Sequence, residues 1–109
     1  MRIQETSEQI EKIVVEAFDG DVQIGTADLI IDTHAEGKPA ALVESVEVIE
    51  NRRRQGFGKM LMLRLVELAS DRGCYKIVLQ CADHNIPFYN ACGFHVHQTG
   101  MRRNLYKEQ

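Results

Sequence analysis

Apolar residues crowd into two runs near the amino terminus, Ile10 to Phe18 and Val22 to Ile31, with Asp19-Gly20-Asp21 between them. Ile-, Val- and Phe-rich runs joined by an Asp-Gly turn signal predict an antiparallel hairpin. The segment Thr33-His34-Ala35-Glu36-Gly37-Lys38-Pro39 has loop chemistry, and Ala40 to Ile49 returns to strand composition. Strict alternation along this third strand puts Leu42, Val46 and Val48 on one face with Glu44, and Val43 and Ile49 on the other with Ser45 and Glu47. Carboxylates near the middle of a central strand are expected to be buried, and a buried carboxylate asks for a chemical reason.

From Gly56 the period becomes helical. Phe57, Met60, Leu61, Leu65, Leu68 and Ala69 are expected to face inward, and Lys59, Arg64, Glu67 and Asp71 to face water. Gly73 is a helix stop, Tyr75 to Cys81 reads as a short buried strand, and Asn85 to Ala91 as a short helix ending near Gly93. Phe94 to Gln98 and Met101 to Tyr106 read as a final strand pair. The order predicts an α+β fold: a mixed, mainly antiparallel sheet with helices after the third and fourth strands.

At 109 residues, 44% hydrophobic and 27% charged, the chain has the balance of one globular domain, with no repeat or linker to divide residues 1–109. A core of this size is thin, so burial against a second copy is expected, as a homodimer. A net charge of −3 argues against nucleic-acid and anionic-membrane partners, and any anion must be met by local cations. The sequence shows neither a signal-peptide pattern nor the roughly 18–20 apolar residues that cross a bilayer, which predicts a cytoplasmic protein. The cysteines, Cys74, Cys81 and Cys92, are three, an odd number, and read as buried reduced thiols. With His84, His95 and His97 they make no Cys-x-x-Cys or His-x-x-x-His pair, so no metal is assigned.

The densest chemical signal is a strand, then Asn51-Arg52-Arg53-Arg54-Gln55-Gly56-Phe57-Gly58-Lys59, then a helix. Free backbone N–H groups and the positive end of a helix dipole meet there, a setting suited to a diphosphate. A Walker A loop would need Gly at 53 and Ser or Thr at 60, where Arg53 and Met60 stand. A dinucleotide fingerprint would need Gly at 61, which is Leu61, and would not follow three antiparallel strands. A nucleic-acid role for Arg52 to Arg54 lacks both a basic surround and neighbouring aromatic platforms.

Arg53, Gly56 and Gly58 match the Arg/Gln-x-x-Gly-x-Gly/Ala loop, and the chain resembles the GNAT superfamily of N-acetyltransferases there. Gly73-Cys74-Tyr75-Lys76-Ile77 and Asn85-Ile86-Pro87-Phe88-Tyr89-Asn90-Ala91-Cys92-Gly93-Phe94 are similar to blocks of the glucosamine-6-phosphate N-acetyltransferases. The resemblance runs over residues 42–106 and implies acetyl-CoA as acetyl donor. It places the pantetheine arm on backbone groups of Val46, Glu47 and Val48. The pyrophosphate falls to Arg53, Arg54, Gln55, Gly56, Phe57, Gly58 and Lys59, with further coenzyme contact at Asn85 and Tyr89. It implies a direct transfer to a primary amine, without an acetyl-cysteine at Cys81 or Cys92. Tyr89 would donate to the departing thiolate, and Glu44 would bind or deprotonate the amine, with Glu47 or a water in reserve. Around the acceptor it sets Tyr75, Lys76 and the carbonyl of Gln80; Glu44 and Ser45 are expected beside them, and Arg103 or Arg102 is expected to substitute for the family's sugar-phosphate arginine.

The chain departs from that pattern at Ser45, where the aminosugar enzymes typically carry aspartate, and at Asn104, beside their sugar-phosphate arginine. The usual first strand and the two helices walling the acceptor groove are read as shortened or missing, which leaves the acceptor open. Singly, Tyr89 reads as a core aromatic, Glu44 as an ion-paired strand residue and Arg52 to Arg54 as a solvated turn; joint placement around one loop favours chemistry. The other functional reading is a non-catalytic module that binds acetyl-CoA or scaffolds a partner.

Overall fold

The computed structural model describes residues 1–7, 10–33 and 37–106. His34, Ala35 and Glu36 of the expected loop lie outside the described residues. The chain forms two compact units, Met1–Leu79 and Gln80–Gln109.

The first unit is a sheet with one helix packed on it. Strands β1 (Glu11–Asp19), β2 (Val22–Asp32), β3 (Ala40–Val48) and β4 (Ile77–Val78) lie in the order β1-β2-β3-β4, and helix α1 (Phe57–Asp71) connects β3 to β4. The first two pairings are antiparallel and the last is parallel, as a helical crossover requires. The apolar runs end where the sequence breaks them, at the Gly20 turn and before Pro39.

The register explains which side carries the core. Ile13 pairs with Leu29 and Val15 with Ala27, while β3 sets Ala41, Val43 and Val46 against Ile31, Leu29 and Ala27. Ile24, Ala27, Leu29, Ile31, Ala41 and Val43 are buried, and α1 covers them with Leu61, Met62, Leu65, Leu68 and Ala69. At about 100° per residue these helical positions span an arc of roughly 120°, on which Phe57 sits at the flank. Met60, expected inside, lies beyond the arc and is 64% exposed, whereas Met62 is fully buried.

Strict alternation fails in β3 for a specific reason. Asp28 pairs with Ser45 but Leu29 pairs with Val43, so Glu44 is an extra residue with no cross-strand partner, a β-bulge. The bulge resets the phase and brings Val43 onto the covered face with Val46 and Val48. It also turns the expectation of buried carboxylates around: Glu44 and Glu47 are both exposed. No charged or polar residue is buried among the described residues.

Two further expectations are corrected. The strand expected over Tyr75 to Cys81 shrinks to Ile77–Val78, with Val78 40% exposed. The last pair, Phe94 to Gln98 with Met101 to Tyr106, forms no strand; Val96, Met101, Leu105 and Tyr106 are exposed, without the packed neighbours that strand formation needs.

The second unit is built around helix α2 (Ile86–Ala91), entered by a 3-10 turn at Asp83–Asn85. Its end is a Schellman motif: the Gly93 amide donates to the Asn90 carbonyl and the Phe94 amide to the Tyr89 carbonyl, both at 3.0 Å. The end of α1 repeats it, with Gly73 donating to Ser70 at 2.9 Å and Cys74 to Ala69 at 3.0 Å. Among the described residues no helix is long and apolar enough to cross a membrane.

Candidate functional site

The site is built where β3 outruns its neighbour. Pairing between β3 and β4 is confined to Ala41 with Ile77 and Leu42 with Val78, joined by a bond from the Ala41 amide to the Lys76 carbonyl at 3.0 Å. Beyond Leu42, β3 continues to Val48 with no strand on that side among the described residues. The open side of β3 exposes backbone groups of the segment that holds Val46, Glu47 and Val48. Sheet edges bind extended ligands because their N–H and C=O groups lack partners.

At the end of that edge the chain turns through a 3-10 helix at Glu50–Arg52 and enters α1. Arg54 takes a left-handed conformation with φ 64°, and Gly56, with φ 88°, precedes the first helical residue. Gly56 is needed there because a Cβ is strained at such a φ. A Cβ built on Gly56 meets nothing within 4 Å, so the protein's own atoms leave the space before the loop open. The first bond down the helix runs from the Met60 amide to the Gly56 carbonyl at 3.1 Å, and the preceding amides of the turn have no place in that ladder. An open cradle of amides at a helix start fits a diphosphate.

The three arginines, alike in sequence, divide their work. Arg52 is tied to the Asp19 carboxylate at 2.6 Å, fixing the turn to the end of β1. Arg53 donates from Nε to the Val48 carbonyl at 3.0 Å, clamping the loop to the end of β3 and occupying one backbone group expected to meet pantetheine. Gln55 likewise folds back, its amide donating to the Asn51 carbonyl at 3.3 Å. Arg54 and Lys59 are exposed and supply the cationic side chains toward solvent. Phe57 turns to a hollow of about 260 Å³ lined also by Val15, Ala17, Ile24, Met60 and Leu61.

On the uncovered face of the sheet, the Ser45 hydroxyl donates to Asp28 at 3.2 Å, and Lys12 lies 3.6 Å from the same carboxylate oxygen. Ser45 therefore has a partner inside the sheet, while Glu44 stands exposed in the bulge beside it. Tyr75 and Lys76 form a cation–π pair, with the ammonium 5.2 Å from the ring centre. The Tyr75 amide donates to the Pro39 carbonyl at 3.0 Å, which fixes this pair just ahead of β4.

In the second unit, Tyr89 is half-buried between Phe88 and Phe94, with ring centres at 4.9 and 6.3 Å. Burial, aided by the nearby Cys81 and Cys92 thiols, raises its pKa above the ordinary value near 10, so the phenol is a proton-bearing donor at neutral pH. Asn85 closes the 3-10 turn ahead of α2, and its backbone amide donates to the Ala82 carbonyl at 2.9 Å. The Gln80 side chain lies against Gly100, and Arg103 is exposed.

One supporting residue is missed by sequence reasoning. At Gly25 a Cβ would sit 2.9 Å from the Glu47 carbonyl and 3.1 Å from Leu61, so only glycine lets β2 lie this close to both β3 beside it and α1. A lone Gly in a strand signals close approach, but the Glu47 carbonyl that it approaches, 22 positions away, is visible only once the register is known.

A family model described as the acetyltransferase (GNAT) family matches residues 2–94, and the chain belongs to that family. It is 34% identical over 84 residues to the glucosamine 6-phosphate N-acetyltransferase of Trypanosoma brucei brucei, covering 75% of this chain and 57% of that protein. To the enzyme of the same name from Schizosaccharomyces pombe it is 37% identical over 83 residues, covering 74% of this chain and 75% of that protein. The crystal structure of a Trypanosoma brucei acetyltransferase superposes with a TM-score of 0.71 at 34% identity, over 76% of this chain and 60% of that one. The glucosamine-6-phosphate N-acetyltransferase of Arabidopsis thaliana does so with a TM-score of 0.72 at 26% identity, over 77% and 58%. The chain thus spans a little under three fifths of the length of the first of these relatives.

Proposed function

We propose that this chain is an acetyl-CoA-dependent N-acetyltransferase that moves the acetyl group directly to a primary amine of a small molecule, with glucosamine 6-phosphate as the leading acceptor. The observation that carries the reading is the open edge of β3 running into the Gly56 turn and the start of α1. Names of the relatives support the aminosugar phosphate. The family match crosses both compact units, which supports treating residues 1–109 as one acetyltransferase domain.

In this reading the turn amides, Arg54 and Lys59 hold the diphosphate, and Val46 and Glu47 offer backbone groups to the pantetheine arm. Arg53, Gln55, Phe57, Gly58 and the Val48 carbonyl shape the turn, and Asn85 makes a further coenzyme contact. Acetyl-CoA supplies an activated acyl thioester. A neutral amine attacking it builds negative charge on oxygen and then sulfur, which a nearby donor stabilises. Tyr89 is assigned that donation because its phenol keeps its proton. Glu44, exposed in its bulge, is assigned the amine, with Glu47 as reserve. Ser45, Tyr75, Lys76, Gln80 and Arg103 are assigned to the acceptor.

Cys74, Cys81 and Cys92 stand as reduced cysteines, in keeping with a reducing compartment, and we place the protein in the cytoplasm as a homodimer. Calorimetry with acetyl-CoA, followed by thiol release with a panel of amines including glucosamine 6-phosphate, tests the activity. Binding with amine-dependent release is expected. Binding without release by any amine would make the chain a coenzyme-binding module, and absence of binding would overturn the assignment of the loop. In the Tyr89→Phe variant turnover should fall about 10-fold or more with coenzyme affinity within about 2-fold; an unchanged rate removes Tyr89 from the reaction.

A further inference from the structure

On the sheet face away from α1, one carboxylate gathers side chains from neighbouring strands. Asp28 of β2 pairs with Ser45 of β3, and Lys12 of β1 pairs with Ile30, which sets Lys12 diagonal to Asp28 on the same face. The Ser45 hydroxyl lies 3.2 Å from one Asp28 oxygen, and the Lys12 ammonium lies 3.6 Å from that same oxygen. The Asp28 side chain is only 20% exposed, so these two neighbours replace much of the water it has lost.

The direction of the Ser45 bond decides what that residue offers a ligand. A carboxylate only accepts, so the hydroxyl must donate, and a hydroxyl has one proton to give. With that proton committed to Asp28, Ser45 presents lone pairs alone. The residue before it, Glu44, is exposed in its bulge and has no ion-pair partner among the described residues. Two successive side chains on β3 thus accept hydrogen bonds and donate none.

We propose that Asp28 is a positioning residue for the acceptor: by taking the Ser45 proton it makes Ser45 select an amine or ammonium at this point of the site and turn away a phosphate or carboxylate. The inference rests on the proposed acetyl transfer, in which Ser45 and Glu44 are assigned to the acceptor, and it gives a role to a residue of the neighbouring strand that the transfer does not otherwise use. An ammonium carries three donors and no acceptor, so it binds Ser45 Oγ and the Glu44 carboxylate together and then leaves its proton on Glu44. An anionic oxygen placed there would meet lone pairs and a second negative charge, with no proton between them. Lys12 completes the arrangement, because it balances the Asp28 charge and leaves Asp28 to act through Ser45 rather than as a rival partner of the ammonium.

The test is steady-state kinetics with acetyl-CoA and a primary amine accepted by wild type, glucosamine 6-phosphate first, on wild type, Asp28→Asn, Ser45→Ala, the double variant and Ser45→Thr. Asparagine keeps the shape of Asp28, but its NH2 group can donate to the Ser45 oxygen and release the hydroxyl proton toward the ligand. Asp28→Asn and Ser45→Ala should each raise KM for the amine on the order of 10-fold, the loss of one hydrogen bond to a charged group. The turnover number and the calorimetric Kd for acetyl-CoA should stay within about 2-fold of wild type, since the bond lost holds the amine alone. Because Asp28 acts through Ser45, the double variant should match Ser45→Ala rather than multiply the two losses, and Ser45→Thr, which keeps a hydroxyl, should recover most of what Ser45→Ala loses. Circular dichroism confirms that all five are folded. Multiplied losses would make Asp28 a separate contact, and an unchanged KM in Asp28→Asn would make its bond to Ser45 irrelevant to the acceptor; either overturns the proposal and leaves acetyl transfer standing. A wild type that releases thiol with no amine overturns the transfer itself and this inference with it.

Discussion

Gly25 shows how one missing side chain positions another residue's backbone. With the Glu47 carbonyl 2.9 Å and Leu61 3.1 Å from where a Cβ would stand, Gly25→Ala must push β3 and α1 outward. Overpacking of this kind costs about 1–3 kcal/mol, and here it displaces the strand assigned to pantetheine. Urea denaturation should show that loss, and calorimetry should show weaker acetyl-CoA binding; an unchanged midpoint would mean the approach relaxes freely. Tyr89 gives a prediction with a sign. Because burial makes the folded phenol hold its proton more tightly than the unfolded one, its contribution to stability is intact below about pH 10 and lost as pH climbs through the raised folded value. Wild type should therefore lose more stability than Tyr89→Phe between about pH 9 and pH 11, and equal losses would refute the shift. The turn into α1 was legible in the sequence, since glycines ahead of an apolar run of helical period mark a helix start. Which arginine does what was not: the Arg52–Asp19 pair joins positions 33 apart, a fact of the fold.

At the scale of elements, the turn into α1 is set by Gly56 in left-handed geometry with open space around it. Gly56→Ala thus pays only in backbone strain, about 1 kcal/mol, seen as a small drop in melting temperature. If the turn amides hold the diphosphate, coenzyme affinity should fall by more than that strain explains, and a loss of stability without loss of affinity would separate the turn from the coenzyme. The hairpin, the third strand and the long helix were legible because runs of Val, Ile and Leu stop at Gly, Asp and Pro. Their phases were not. A single bulge at Glu44 moved Val43 to the covered face, and the helix turned so that Met62, not Met60, entered the core. Bulges depend on the neighbouring strand and helix phase on the surface below, and neither is encoded within one element. The expected final strand pair failed for the same reason, since strand-like composition needs a partner to become a strand.

For the whole molecule, the net charge and the proposed ligand pull in opposite directions. A protein of net charge −3 repels a polyanionic coenzyme at long range, while Arg54, Lys59 and the start of α1 attract it at contact. Which effect wins is a matter of distance. At physiological ionic strength charges more than about 8 Å away are largely screened, so the dispersed carboxylates fade before the cations at the turn do. Added salt should therefore weaken acetyl-CoA binding, because the screening that remains to be gained acts on the local attraction. Replacing both Arg54 and Lys59 with Ala should lower affinity at low salt and flatten its salt dependence, as measured by calorimetry between about 0.05 and 0.5 M NaCl. Binding that strengthens with salt would show the net charge in control, and would move the diphosphate away from this turn.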